Sequence, residues 1–151
     1  VMPEWKTSME AVQIGKGRKL KDGEEIAILS FGHPGNFAAA AIREAKQYGI
    51  NPAHYDMRFV KPIDEELLHE VFRKFDKVIT IEDGTVVGGF GSAVLEFMNQ
   101  YGYTAQVKIM GIPDKLIEHG TPKELYAEIG LDANGILKAI QQLSSVTVHT
   151  S

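Results

Sequence analysis

Cysteine is absent from the 151 residues, which removes any disulfide framework, thiolate metal site or thiol nucleophile. That absence suits a cytoplasmic protein. No run approaches the roughly 18 apolar residues that cross a bilayer, and the opening VMPEWKTSMEAVQIG lacks the apolar stretch of a secretory signal. A basic excess is missing too. Sixteen Lys and Arg stand against 20 Asp and Glu, a net charge of −4, which argues against nucleic acid or an anionic membrane as a partner. The five histidines, at 33, 54, 69, 119 and 149, form neither H-x-x-x-H nor H-E-x-x-H, and no serine sits in G-x-S-x-G. There is no internal repeat and no low-complexity tract.

What is present looks globular. Apolar residues make up 44% and charged residues 24%, so disorder is not the default. A chain of this length fits one domain and buries roughly 70% of its unfolded surface. It opens on Val1 with Met2 behind it, which fits a piece cut from a longer protein or residues left by cloning.

Residues 1–24 read as a lead-in segment ending in an edge strand. Gly15, Gly17 and Asp22-Gly23 mark turns, and the lysines and Arg18 between them suit the protective charges of a sheet edge better than a phosphate patch. From there the chain alternates between two periods. Residues 26–31, 53–60, 77–82 and 105–110 read as strands. Between them lie helical stripes, namely Phe37, Ala38, Ala41, Ile42 and Ala45, then Leu67, Leu68, Val71, Phe72 and Phe75, then Val94, Leu95, Met98 and Tyr101. Asp64 is placed to cap the second helix, and Thr121-Pro122-Lys123-Glu124 has the form of a capping box. The helix it starts is expected to end at Gly130, with Asp132 opening another that carries Ile136, Leu137, Ile140 and Leu143. Strands alternating with amphipathic helices predict a three-layer α/β/α domain over 25–143 with a mostly parallel sheet. Residues 144–151 read as a frayed tail.

The loop between the third core strand and its helix invites a ligand reading. Glu82-Asp83-Gly84 leads into Gly88-Gly89-Phe90-Gly91-Ser92, and a glycine-rich turn before a helix can aim N–H groups at a phosphate. The run is neither G-x-G-x-x-G nor a P-loop, and glycines serve equally where a helix packs closely on a sheet. Packing is the preferred reading. Adjacent acids on a strand point to opposite faces, so one of Glu82 and Asp83 is expected to take N–H bonds from the loop and the other to face solvent. Arg58 and Lys61 can hold an anion, but ion pairs with Asp56, Asp64 or a neighbouring domain suit them better.

Three segments together carry a resemblance: Asp56-Met57-Arg58-Phe59-Val60-Lys61-Pro62-Ile63-Asp64, the run Thr80-Ile81-Glu82 through Gly88-Gly89-Phe90-Gly91-Ser92-Ala93-Val94, and Gly111-Ile112-Pro113-Asp114 with Ile117-Glu118-His119-Gly120. This series resembles the C-terminal, transketolase-type domain of 1-deoxy-D-xylulose-5-phosphate synthases over roughly residues 13 to 143. Asp83 departs from the glutamate common there. The resemblance implies a mixed five-stranded sheet, mostly parallel, with the lead-in strand antiparallel at an edge. It also implies a cytoplasmic, homodimeric transferase of isoprenoid, thiamine and pyridoxal biosynthesis. That enzyme uses thiamine diphosphate and Mg²⁺ to decarboxylate pyruvate and join the two-carbon unit to D-glyceraldehyde 3-phosphate. The preceding domains of the same polypeptide hold cofactor and substrate, so no catalytic, cofactor or metal residue is assigned here. Arg58, Lys61, Pro62, Asp64, Glu82, Gly88, Gly89, Gly91 and Asp114 are expected to be structural. Two other classes stand as alternatives. One is a free-standing ligand-binding or regulatory module, the other the C-terminal interaction domain of a 2-oxo-acid dehydrogenase β subunit.

Overall fold

The structure, a computed structural model, describes residues 16–32, 34–58, 63–83, 89–112 and 122–145. Along the chain run β1 (Arg18–Lys21), β2 (Ile26–Ser30), α1 (Gly35–Ala45), β3 (Ala53–Asp56), α2 (Glu65–Lys74), β4 (Lys77–Asp83), α3 (Gly89–Gln100), β5 (Gln106–Ile112) and α4 (Pro122–Leu143). The sheet order is β1-β3-β2-β4-β5, with β1 antiparallel to β3 and every other pairing parallel. This is the expected mixed five-stranded sheet with an antiparallel edge.

β2 is the central strand with β4 beside it, and residues 26–29 and 78–81 read as apolar runs, broken only by buried Thr80, because helices cover both faces. On one face Ile26, Ile28, Ile79 and Ile81 meet Phe37, Ala38 and Ile42 of α1 and Ile136, Ala139, Ile140 and Leu143 of α4. On the other, Ala27, Leu29, Tyr55 and Val78 meet Leu68, Val71 and Phe72 of α2 and Phe90, Val94 and Phe97 of α3. Each fully buried Ile or Leu contributes roughly 1.5–3 kcal/mol. Local signals agree with this packing. Asp64 Oδ1 accepts the Leu67 N–H at 3.1 Å as the cap of α2. Gly49, at φ +76°, closes the 3-10 turn after α1.

Four features differ from the sequence reading. β3 ends at Asp56 rather than running to residue 60. There Asp56 Oδ1 accepts the Arg58 N–H at 3.2 Å, and Arg58 takes φ +55°, so a side-chain turn displaces the strand ladder. The expected break at Gly130 is absent, and α4 is one helix of 22 residues. A mid-helix glycine costs only about 1 kcal/mol against alanine, which the packed face from Ile136 to Leu143 offsets. In α3 the buried stripe is Phe90, Val94 and Phe97, while Tyr101 is exposed. At the head of the segment read as a frayed tail, Ser144 Oγ donates to Glu25 Oε1 at 2.9 Å, and Ser145 N donates to Glu25 Oε2 at 2.8 Å. Thr121 lies outside the described residues, although α4 does begin at Pro122.

Candidate functional site

In an open parallel sheet the ligand crevice forms where strand order reverses, at the carboxyl ends of the strands. Here the chain steps from β2 to β3 on one side and then across to β4 on the other, so the switch lies between β2 and β4. α1 covers one face beside it and α3 the other.

Glu82 dominates this mouth. It is the penultimate residue of β4, and its side chain is buried on the α3 side. One carboxylate oxygen accepts the Phe90 N–H at 2.8 Å and the other accepts the Gly91 N–H at 3.3 Å. These are free donors of the first turn of α3, where the positive end of the helix dipole favours an anion. The protein's own carboxylate therefore occupies the position a bound phosphate would take. Gly91 holds the same helix close to the sheet. A Cβ there would fall 2.7 Å from Ile109 Cγ2 of β5, so only glycine fits without displacing that side chain.

A second polar pair sits under the N-terminus of α1. Ser30 Oγ and His54 Nε2 are 2.8 Å apart, from adjacent parallel strands, and both residues are almost fully buried. Burial pushes the His54 pKa below its ordinary value, Asp56 pulls it partly back, and Lys21 pushes it down again. A hydroxyl beside a neutral imidazole has the outline of a nucleophile and base. No substrate reaches it, because α1 lies directly above: a Cβ on Gly35 would come within 3.0 Å of Ser30 Oγ. The pair satisfies buried polar atoms. Sequence reading missed it because the partners are 24 residues apart, and the available signal was a Ser and a His within otherwise apolar strands.

The remaining candidates disperse. Arg58 Nε lies 3.7 Å from Asp56 Oδ2, an ion pair local to the turn after β3. Besides capping α2, Asp64 accepts the Gly17 N–H at 2.9 Å and so ties the lead-in to that helix. Gly89 is the first residue of α3. Lys61, Pro62, Gly88 and Asp114 lie outside the described residues. Among the described residues no group of three or more His, Asp or Glu converges as a metal site, and no helix is long and apolar enough to cross a membrane.

A shallow groove of ≈ 500 Å³ opens beside the mouth, between the start of α2 and the outer side of α3, with Ile63, Ala93 and Phe97 as apolar walls and Glu65 and Glu96 at its rim. It has no catalytic constellation.

The profile of the family described as transketolase, C-terminal domain, matches residues 15–136. The chain is 55% identical over 98% of its length to a 1-deoxy-D-xylulose-5-phosphate synthase of Cytophaga hutchinsonii, and 54% identical over 93% to one of Bacteroides thetaiotaomicron. It spans only 23% and 22% of those relatives. A solved structure described as a split gene transketolase, inactive beta4 tetramer, superposes with a TM-score of 0.74 at 33% identity, covering 91% of this chain and 45% of that one.

Proposed function

The chain belongs to the family of transketolase C-terminal domains, and on that premise we propose that it is the docking domain of a 1-deoxy-D-xylulose-5-phosphate synthase. The observation that carries the reading is identity of 55% across 98% of the chain, matched to under a quarter of the relative's length. In the intact enzyme the reaction is the decarboxylation of pyruvate and the joining of its two-carbon unit to D-glyceraldehyde 3-phosphate. The preceding domains of a cytoplasmic homodimer would carry it out. Thiamine diphosphate would supply the carbanion chemistry there.

Among the described residues, the sheet mouth does not fit that cofactor. A diphosphate needs free N–H donors or cations, and the N–H groups of Phe90 and Gly91 at the sheet mouth are taken by Glu82. Mg²⁺ needs converging oxygen ligands, and no such group of acids occurs among the described residues. The contribution we assign to the domain is packing on the rest of the polypeptide, supported by its matching under a quarter of the relative's length. The same geometry disfavours a free-standing phosphate-binding module.

Two measurements test this. The intact reading frame, expressed whole, is expected to consume pyruvate and D-glyceraldehyde 3-phosphate only with thiamine diphosphate and Mg²⁺ present. The 151-residue chain alone is expected to give no heat on titration with cofactor and metal. Micromolar binding by the chain alone, about −8 kcal/mol, would overturn the assignment of the cofactor to the other domains.

A further inference from the structure

We propose that the groove between α2 and α3 is the seat of an arginine or lysine side chain carried by the catalytic portion of the same polypeptide. The inference rests on the docking role just described and names the chemistry of the contact.

Glu96 is the first reason. α3 has no basic residue, so Glu96 has no lysine or arginine three or four positions away to pair with. It lies toward the negative end of the helix dipole, where a carboxylate gains nothing. Among the described residues no ion pair engages it. Glu65 lines the same space from the first turn of α2 and, among the described residues, is engaged by one hydrogen bond, the Tyr101 hydroxyl donating to its Oε1 at 3.3 Å. The basic residues of α2, Arg73 and Lys74, sit in its last turn, roughly 12 Å further along at 1.5 Å per residue. Lys16 is already paired with Glu66 at 2.9 Å. Two carboxylates thus flank a cavity with no cation of its own among the described residues.

The walls fit the stem of such a side chain. Ile63, Ala93 and Phe97 line the groove together with the two exposed acids, a mixed lining on which a long basic side chain can lay its methylenes while its charge stays at the surface. Ser92 and Ala93 are small, which leaves the side of α3 open to close approach.

Position is the third reason. The Gly17 N–H is bonded to Asp64 and Lys16 to Glu66, so the lead-in joins the domain at the N-terminal end of α2, the end that carries Glu65. Lys16, the first described residue of the lead-in, is thus held at the end of α2 that lines the groove.

Hydrogen–deuterium exchange on the intact polypeptide, with the 151-residue chain as comparison, tests the proposal. Amides of residues 89–100 should exchange at least about tenfold more slowly in the intact polypeptide. Glu96→Lys should abolish that difference, Glu96→Gln should reduce it, and Glu44→Lys on α1 should leave it unchanged. Equal exchange in the two contexts would overturn the proposal. So would protection that survives Glu96→Lys, or protection that disappears on dilution and so reports a second subunit. The readout is independent of turnover. Protection at α3 in a polypeptide without synthase activity would refute the proposed reaction and support the docking contact, and an active synthase with unprotected α3 would do the reverse.

Discussion

Glu82 makes two hydrogen bonds that no other described side chain is placed to replace. Removing an acceptor from a buried donor costs more than the bond itself was worth, because the donor is left without water. Glu82→Ala is expected to lower the unfolding free energy by roughly 1–3 kcal/mol. Glu82→Gln keeps one acceptor oxygen and loses the interaction of charge with helix dipole, which is worth about 0.3–1 kcal/mol, so it should cost less than alanine. Urea denaturation of the three proteins checks this, and an alanine variant as stable as the parent would show that the carboxylate contributes nothing. The sequence announced an acid at this strand end that would take N–H bonds from the adjoining loop. It could not say which of Glu82 and Asp83 does so, because that depends on which face of β4 lies under α3.

At the scale of elements, alternation of short apolar runs with helical stripes was enough to place the parallel strands, their helices and the charged edge strand. Periodicity works here because β2 and β4 are covered on both faces. It failed where a local side-chain bond or a distant contact decides the outcome. β3 stops at Asp56 because the Asp56 carboxylate competes for the backbone of Arg58. Phe97 rather than Tyr101 is buried because α3 presents the side that faces α2, where Phe72 stacks on Phe97 with ring centres 6.1 Å apart. The long α4 carries a test of its own. Gly135 lies within it, its φ is not in the left-handed region, and an added Cβ would meet nothing within 4 Å. Gly135→Ala is expected to raise stability by about 0.5–1 kcal/mol, through helix propensity and a less disordered unfolded chain. Thermal unfolding checks it, and a lower midpoint would mean that the helix bends or opens at that position.

For the molecule as a whole, the contact with most reach is the one around Glu25. Its carboxylate accepts from Lys77 Nζ of β4, from Ser144 Oγ and from Ser145, joining the turn before β2 to the end of α4. Burial works to raise its pKa, but the bonds from the Ser145 side chain and backbone, Ser144 and Lys77 together lower it from 4.5 to about 2. A depressed carboxylate pKa contributes stability that is fully present above 4.5 and lost as pH falls from there toward about 2. The stability difference between the parent and Glu25→Gln should therefore shrink across that interval, as read from urea unfolding at stepped pH. A difference that stays constant would contradict the depressed value. The same contact bears on synthesis. Glu25 leaves the ribosome 119 and 120 residues ahead of the two serines it binds, a delay of roughly 6–24 s at ordinary elongation rates. During that interval the nascent sheet holds a carboxylate whose main hydrogen-bond donors do not yet exist, and α4 has not arrived to cover Ile28 and Ile79. The sheet therefore cannot complete its core while its last helix is still being made, and a message that stalls or ends within α4 leaves a nascent chain whose face is covered by α1 alone, open to chaperones and proteases.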